Sequence, residues 1–274
     1  MDLTGMAVSV IAYNEPRHLY VTLDSLSRVH GIEQFPVTVY VDGGITAEIR
    51  AEQEKVLACF PLISSEFSEV NLGIRKNVMR GISAPLNTGA TSVLYIEDDH
   101  IVRPEIISIP EKDKTGCFFI GLTQAFSHVN KVYRLSRYHP KGNVVSAKNA
   151  NKLLKWLREK AYIGRTLPGI DAPVDEDYIG HDRLINIYLA DHGEFTIFPT
   201  GKHVSHFGLF GTNFPRAAAA PNLIALEQRM FAGPQEQWLS NIAEILEAGD
   251  YPVEPDGMGE RLWPRGFRYY GDIG

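Results

Sequence analysis

Three consecutive carboxylates, Glu97, Asp98 and Asp99, stand at the end of a short run of strand-forming residues, Ser92-Val-Leu-Tyr-Ile96. Acids that close together repel and raise one another's pKa unless positive charge sits among them. A divalent cation is the simplest remedy. Carboxylate oxygens suit Mg2+ or Mn2+, and these ions keep positions for water and substrate phosphates, so a diphosphate leaving group would complete the shell. The bland alternative is a solvated strand end, or a helix cap leading into Pro104. Further along, Asp182 falls in the first turn of a helical run entered through Gly180-His181. A carboxylate there can take a proton from an attacking hydroxyl, or it can simply pair with the positive end of the helix. Its neighbours Asp175, Glu176 and Asp177 read as a solvated loop. The segment His203-Val-Ser-His-Phe-Gly-Leu-Phe-Gly211 joins a strand end to a glycine-punctuated turn, which suits a loop that closes over a ligand. His206, or His203 in its place, could complete a metal shell or touch a diphosphate, although a lone histidine is as readily a packed or surface residue.

The hydrophobic pattern predicts the elements that must hold these residues. Met6 to Ala12 is a continuous apolar run rich in β-branched residues, as in a strand covered on both faces of a parallel sheet. Tyr13-Asn14-Glu15-Pro16 follows, with Asn14 placed to cap a helix and Pro16 in its first turn; Leu19, Leu23 and Leu26 then repeat at helical spacing. A second strand, Val37 to Val41, ends at Asp42-Gly43-Gly44, and a second helix covers Thr46 to Cys59. A third strand, Leu62 to Phe67, precedes Asn71-Leu-Gly-Ile-Arg75, a loop that turns into a helix through Ile82. With the strand before Glu97 as the fourth, this is the opening of a doubly wound sheet, whose ligands bind at the carboxyl ends of the strands. Asn14, Asp42, Arg75 and the acidic triplet all fall on that rim. Gly116 to Leu122 and Lys131 to Leu135 read as short strands, Ala147 to Lys160 as an amphipathic helix and Gly164 to Asp177 as a loop. A helix from His181 to Ala190, strands at Phe195 to Phe198 and His203 to Ser205, and one or two helices after Pro221 complete the pattern.

At 274 residues the chain can bury a large core, and one α/β domain, residues 1–220, with a C-terminal helical extension, residues 221–274, is expected to pack as a unit. The formal charge of −6 argues against binding polyanions through the overall field. Nucleic acid is therefore not implied, although the charge leaves room for a local basic cleft. Cys59 and Cys117 both lie in apolar runs and read as buried reduced thiols. The N-terminus has no basic segment followed by a secretory core, and no stretch approaches the roughly 20 apolar residues of a membrane span. A soluble, cytoplasmic protein is expected.

The run Val93-Leu-Tyr-Ile-Glu-Asp-Asp-His-Ile-Val-Arg-Pro104 resembles the metal-binding "DXD" segment of GT-A glycosyltransferases, and its Glu-Asp-Asp form is similar to that of the N-acetylglucosaminyltransferase I family. Val8-Ser-Val-Ile-Ala-Tyr-Asn-Glu-Pro16, with Leu23 and Leu26, resembles the first strand and helix of that family and of the family 2 glycosyltransferases, and Asn71-Leu-Gly-Ile-Arg75 fits both. The resemblance implies a Rossmann-like GT-A fold, α/β with a mixed, mostly parallel central sheet flanked by helices. It implies transfer of a hexosyl or N-acetylhexosaminyl group from a nucleotide-sugar, with UDP favoured, to a hydroxyl acceptor of unknown class, with inversion. By the same resemblance Ala12, Tyr13 and Asn14 line the base pocket with Arg75 nearby, and Asp42 hydrogen-bonds the base. Glu97 then faces the sugar, Asp98 the ribose, and Asp99 binds Mn2+ or Mg2+ directly. Asp182 takes the position of the family's catalytic base, and the Val-Ser-His-x-Gly core resembles its donor-covering loop, which favours His206 over His203. The segment from Arg103 to Thr115 is short, so the loop that shapes the acceptor side is expected to be rebuilt.

Arg216, Arg229, Arg261, Arg265 and Arg268, with Trp238, Trp263, Tyr269 and Tyr270, could form an acceptor surface for a sugar or for a flipped nucleobase bearing a hydroxymethyl group. The plainer reading is that they pack a C-terminal extension onto the core. Two other functions compete. A nucleotidyltransferase would show a glycine-rich phosphate loop after the first strand, where Ala12-Tyr-Asn-Glu-Pro16 has no glycine. A non-catalytic nucleotide-sugar-binding module would keep the fold and lose the chemistry.

Overall fold

The first strand, Met6–Ala12 (β1), is buried at every position, as an unbroken apolar run requires of a strand covered on both faces. The computed structural model describes residues 5–108, 117–122, 132–166, 173–174, 180–199, 203–209, 221–248 and 269–273. β1 pairs in parallel with Val37–Val41 (β2), which pairs in parallel with Ser64–Phe67 (β3); on its other side β1 pairs in parallel with Ser92–Glu97 (β4). Beyond β4 the sheet becomes mixed. Asn143–Ser146 (β8) is antiparallel to β4 and to Phe119–Gly121 (β6), and Thr196–Phe198 (β9) is parallel to β6. Val132–Leu135 (β7) is antiparallel to β9, and Tyr269–Ile273 (β11) is antiparallel to β7. Among the described residues the order is β11-β7-β9-β6-β8-β4-β1-β2-β3, and all strands but β7 and β8 run the same way. The mixed, mostly parallel sheet expected from the sequence is present. A separate antiparallel pair joins His100–Val102 (β5) to Val204–His206 (β10).

Alternation along the strands divides the core in two. Met6, Val8, Val10 and Ala12 face Leu19, Leu23 and Leu26 of Pro16–Ser27 (α1) and Leu57 of Ala47–Ala58 (α2). Ile11, Tyr40, Val93 and Tyr95 face Val78 and Ile82 of Ile74–Asn87 (α3), Leu153 of Ala147–Arg158 (α4) and Leu184 of His181–His192 (α5).

Several local expectations shift by a residue or a turn. Glu15, not Asn14, occupies the cap position of α1, without a side-chain cap, and Pro16 opens the helix. α3 runs past Ile82 to Asn87 with Pro85 inside it. Proline has no N–H to donate to the carbonyl four residues back, and Ser9 Oγ from β1 donates to that Gly81 carbonyl at 2.7 Å instead. The helix therefore continues through a residue that should end it. Cys117 is buried, but Cys59 is exposed at the end of α2, and no disulfide joins them.

Two C-terminal helices, Pro221–Met230 (α6) and Trp238–Ala248 (α7), bury Leu226, Met230, Leu239, Ile242 and Ile245 against Val21 of α1 and Phe207. Arg17 Nη2 meets Glu227 Oε1 at 3.2 Å beside them. The tail then returns a strand, β11, to the sheet, a feature that its aromatic and arginine content did not announce. No helix among the described residues is long and apolar enough to cross a membrane.

Candidate active site

The turn between β4 and β5 carries Glu97, Asp98 and Asp99, and α1 holds it from below. Thr22 Oγ1 donates to the carbonyl of Asp98 at 2.8 Å and accepts the amide of His100 at 3.1 Å. One turn on, Ser25 Oγ accepts the amide of Val102 at 3.1 Å. The Asp98 amide donates to the Ile11 carbonyl at 2.9 Å, and Asp98 Oδ2 accepts the Tyr13 amide at 3.1 Å, which ties the turn to the end of β1. His100, fully buried, accepts the Glu97 amide on Nδ1 at 2.9 Å.

The second half of the chain reaches Asp99 through β10. Pairing of β5 with β10 sets His206 opposite His100. His206 Nε2 then lies 2.9 Å from Asp99 Oδ2, across 107 residues of sequence. The Phe207 amide donates to the Asp99 carbonyl at 2.9 Å. At Gly208 a Cβ would stand 2.3 Å from Asp99 Oδ2, so any larger residue there would have to displace the carboxylate or the loop. Asp99 Oδ1 is buried without a hydrogen-bond partner, and His100 Nε2 is 3.8 Å away. Burial alone would raise the Asp99 carboxyl, but the charge and hydrogen bond of His206, with His100 and His18 beyond, hold it well below its usual range. His203 sits at the far end of β10, where its amide donates to the Leu122 carbonyl and its carbonyl accepts the Arg103 amide.

The N-terminus of α5 comes to the same rim. His181, its first residue, is 6% exposed and places Nε2 3.7 Å from Glu97 Oε1. Asp182 follows with an exposed side chain in the first turn. Burial, then Asp99, Asp98 and Asp182, push the Glu97 carboxyl well above its usual range. α5 is fixed by Asn186, whose Oδ1 accepts the Tyr138 amide at 2.8 Å and whose Nδ2 donates to the Tyr138 carbonyl at 3.2 Å.

On the β1–β2 side Asp42 is 4% exposed, and its carboxylate accepts the amides of Gly43, Leu72 and Gly73 at 2.7 to 2.9 Å. It anchors the loop before α3 to the end of β2. Gly43 permits the approach: a Cβ there would lie 2.5 Å from the Val70 carbonyl oxygen. Asn77 Nδ2 donates to the carbonyls of Ala12 and Tyr40 and so clamps the ends of β1 and β2. Asn71 Nδ2 donates to the Tyr13 hydroxyl at 3.1 Å, and Gln53 Nε2 to the Tyr13 carbonyl at 2.6 Å. Tyr13 is thus held on three sides, with Asn14 half-buried beside it and Arg75 in the first turn of α3, its guanidinium 5.9 Å from the Tyr162 ring.

The structure therefore gathers Ala12, Tyr13, Asn14, Asp42, Arg75, Glu97, Asp98, Asp99, Asp182 and His206 at the carboxyl end of the sheet. Asp175, Glu176, Asp177, Gly211, Arg216, Arg261, Trp263, Arg265 and Arg268 lie outside the described residues, as do the side chains of Tyr269 and Tyr270. Trp238, half-buried, packs edge-on against Tyr20 and Phe231 at the margin of the C-terminal helix cluster. Sequence reasoning missed Thr22, Ser25, Asn77 and Asn186. Their signal was a polar residue on a buried helix face, where it must find a partner.

Among the described residues, no three His, Cys, Asp or Glu side chains converge as a ready-made metal cage. Asp99 and His206 offer a carboxylate and an imidazole, and the buried, unpartnered Asp99 Oδ1 is the kind of atom a cation would satisfy. The carboxylate suits Mn2+ or Mg2+ with other positions supplied by phosphate and water, and the imidazole favours Mn2+ of the two.

No family model and no curated protein matches the chain. Its fold matches solved structures. The mannosyltransferase PcManGT from Pyrobaculum calidifontis, solved with GDP-Man and Mn2+, superposes with a TM-score of 0.53 at 13% identity, over 91% of this chain and 76% of that one. TarS from S. aureus, solved with UDP-GlcNAc, superposes with a TM-score of 0.48 at 15% identity, over 88% of this chain and 72% of that one. The chain shares the Rossmann-like α/β architecture of the mannosyltransferase, with a mostly parallel sheet flanked by helices.

Proposed function

We propose that this chain is a metal-dependent GT-A glycosyltransferase that moves a sugar, with inversion, from a nucleotide-sugar to a hydroxyl acceptor. The observation that carries the reading is the meeting of Asp99 and His206 at 2.9 Å on a rim that also receives Asp182. The shared fold of a mannosyltransferase solved with GDP-Man and Mn2+ supports it. The family resemblance favours UDP as the nucleotide, and that solved relative makes a guanosine donor the alternative to try.

Tyr13, Asn14 and the end of β1 at Ala12 would take the nucleotide base, in a pocket whose floor Asp42 secures through the Leu72 and Gly73 amides. Asp98 would face the ribose and Glu97 the sugar, with Arg75 beside the pocket. Asp99 and His206 would hold Mn2+ or Mg2+, which when bound neutralises charge on a departing diphosphate. Asp182, exposed at the start of α5, would accept the proton of the acceptor hydroxyl as that oxygen attacks the sugar. Inversion follows from attack opposite the leaving diphosphate.

The test is release of nucleoside diphosphate from UDP- and GDP-sugars by the wild type and by Asp99→Ala. The wild type should release it with Mn2+, and Asp99→Ala should lose turnover by about 100-fold or more. Equal turnover in both proteins would remove Asp99 from the chemistry. Donor binding without turnover in the wild type, unchanged in the variant, would identify a binding module instead.

A further inference from the structure

Asp99 has to present its carboxylate to a cation from a turn only two residues long, between Glu97, the last residue of β4, and His100, the first of β5. Both peptide groups that flank Asp99 are bound by one side chain. Thr22 Oγ1 donates to the Asp98 carbonyl at 2.8 Å and accepts the His100 amide at 3.1 Å. Thr22 is fully buried on α1, at a helix position where leucine or valine would otherwise serve the core. A hydroxyl there needs partners of its own, and here it has one donor and one acceptor site filled. The next polar residue of the same face, Ser25, binds the Val102 amide at 3.1 Å, past the end of the turn.

We propose that Thr22 is a positioning residue for the metal site: by bridging the peptides on both sides of Asp99 it fixes the direction of that carboxylate toward His206. The proposal rests on the reading of Asp99 and His206 as the metal-holding pair. Nothing in it requires Thr22 to touch donor or metal; it acts through the backbone, as outer-shell partners of metal ligands do. Ser25 supplies the comparison, because it is equally buried, makes the same kind of bond from the same helix, and misses the Asp99 peptides.

The experiment compares wild type, Thr22→Val, Thr22→Ser and Ser25→Ala, each checked for folding by thermal melting. Two quantities are read: Mn2+ affinity by calorimetry in the presence of UDP or GDP, and hydrogen exchange of the His100 amide. Thr22→Val keeps the shape and removes the hydroxyl. It should weaken Mn2+ binding about tenfold and speed exchange at His100, while Mn2+-free nucleotide affinity stays unchanged. Thr22→Ser should restore both quantities. Ser25→Ala should lower the melting temperature but leave Mn2+ affinity at the wild-type value. Wild-type Mn2+ affinity in Thr22→Val, or an equal loss in Ser25→Ala, overturns the proposal by reducing Thr22 to ordinary core stability. If the wild type itself binds no Mn2+ with either nucleotide, the metal-site reading fails and the proposal with it; exchange at His100 then reports only whether Thr22 holds the turn.

Discussion

Asp182 illustrates how one side chain can carry two readings. It lies in the first turn of α5, where a carboxylate interacts favourably with the helix N-terminus whatever the protein does. Its side chain is exposed on the rim that carries Glu97, so on the proposed reading an acceptor hydroxyl would meet it there. Asp182→Asn separates the readings, because the amide keeps the size of the side chain and cannot take a proton. Turnover should drop by about 1,000-fold, within the range that general bases supply, while donor affinity stays level. Turnover close to wild type, with a small loss of melting temperature, would leave Asp182 as a helix-end residue. Asp42 shows the opposite lesson. Its place at the end of β2 was legible in the sequence. Its use was not: both oxygens are engaged by backbone amides of a loop some thirty residues away, and no local pattern reveals that partner.

Elements with long, regular periods were the most legible. β1, β2 and α2 begin and end within about a residue of where alternation, continuous burial and capping put them. β5 and β8 escaped notice because β5 directly follows the acidic turn and β8 runs straight into α4, so neither stands apart as an apolar run, and their existence depends on pairing with β10 and β4. The meeting of Asp99 and His206 depends on the first of these, since β10 pairs with β5 and so brings His206 to Asp99. Helix starts carry a further consequence. His18 and His181 both stand in first turns and are nearly buried, and burial lowers each imidazole to about 4. The positive helix end disfavours their protonation as well. Below pH 6.5 the unfolded chain takes up protons that the folded chain refuses until about pH 4, so stability is full above that window and falls with acidification through it. Each ring should withdraw up to about 1.4 kcal/mol per pH unit there. Urea unfolding midpoints measured between pH 7 and 4 should fall less on acidification in His18→Gln than in the wild type. Equal slopes in the two proteins would contradict the neutral, buried state of that ring.

Across the whole molecule, the opening β-α-β-α half announces the fold, and the closing half determines how the rim is completed. The first is local and periodic, so the sequence shows it. The second is built from short strands, the β10 return and the C-terminal helices, whose cluster of Leu226, Met230 and Ile242 packs on Phe207, the residue after His206. That packing anchors the start of the loop that passes Asp99. On the proposed reading, donor identity would be set by the rim as a whole, through a few contacts whose spacing no single motif encodes. The most direct measurement is calorimetric titration of the folded chain with a panel of UDP- and GDP-sugars, first with Mn2+ and then with EDTA. One donor should bind in Mn2+ and be lost in EDTA, whereas a folded chain that binds no nucleotide-sugar in Mn2+ would contradict the glycosyltransferase reading.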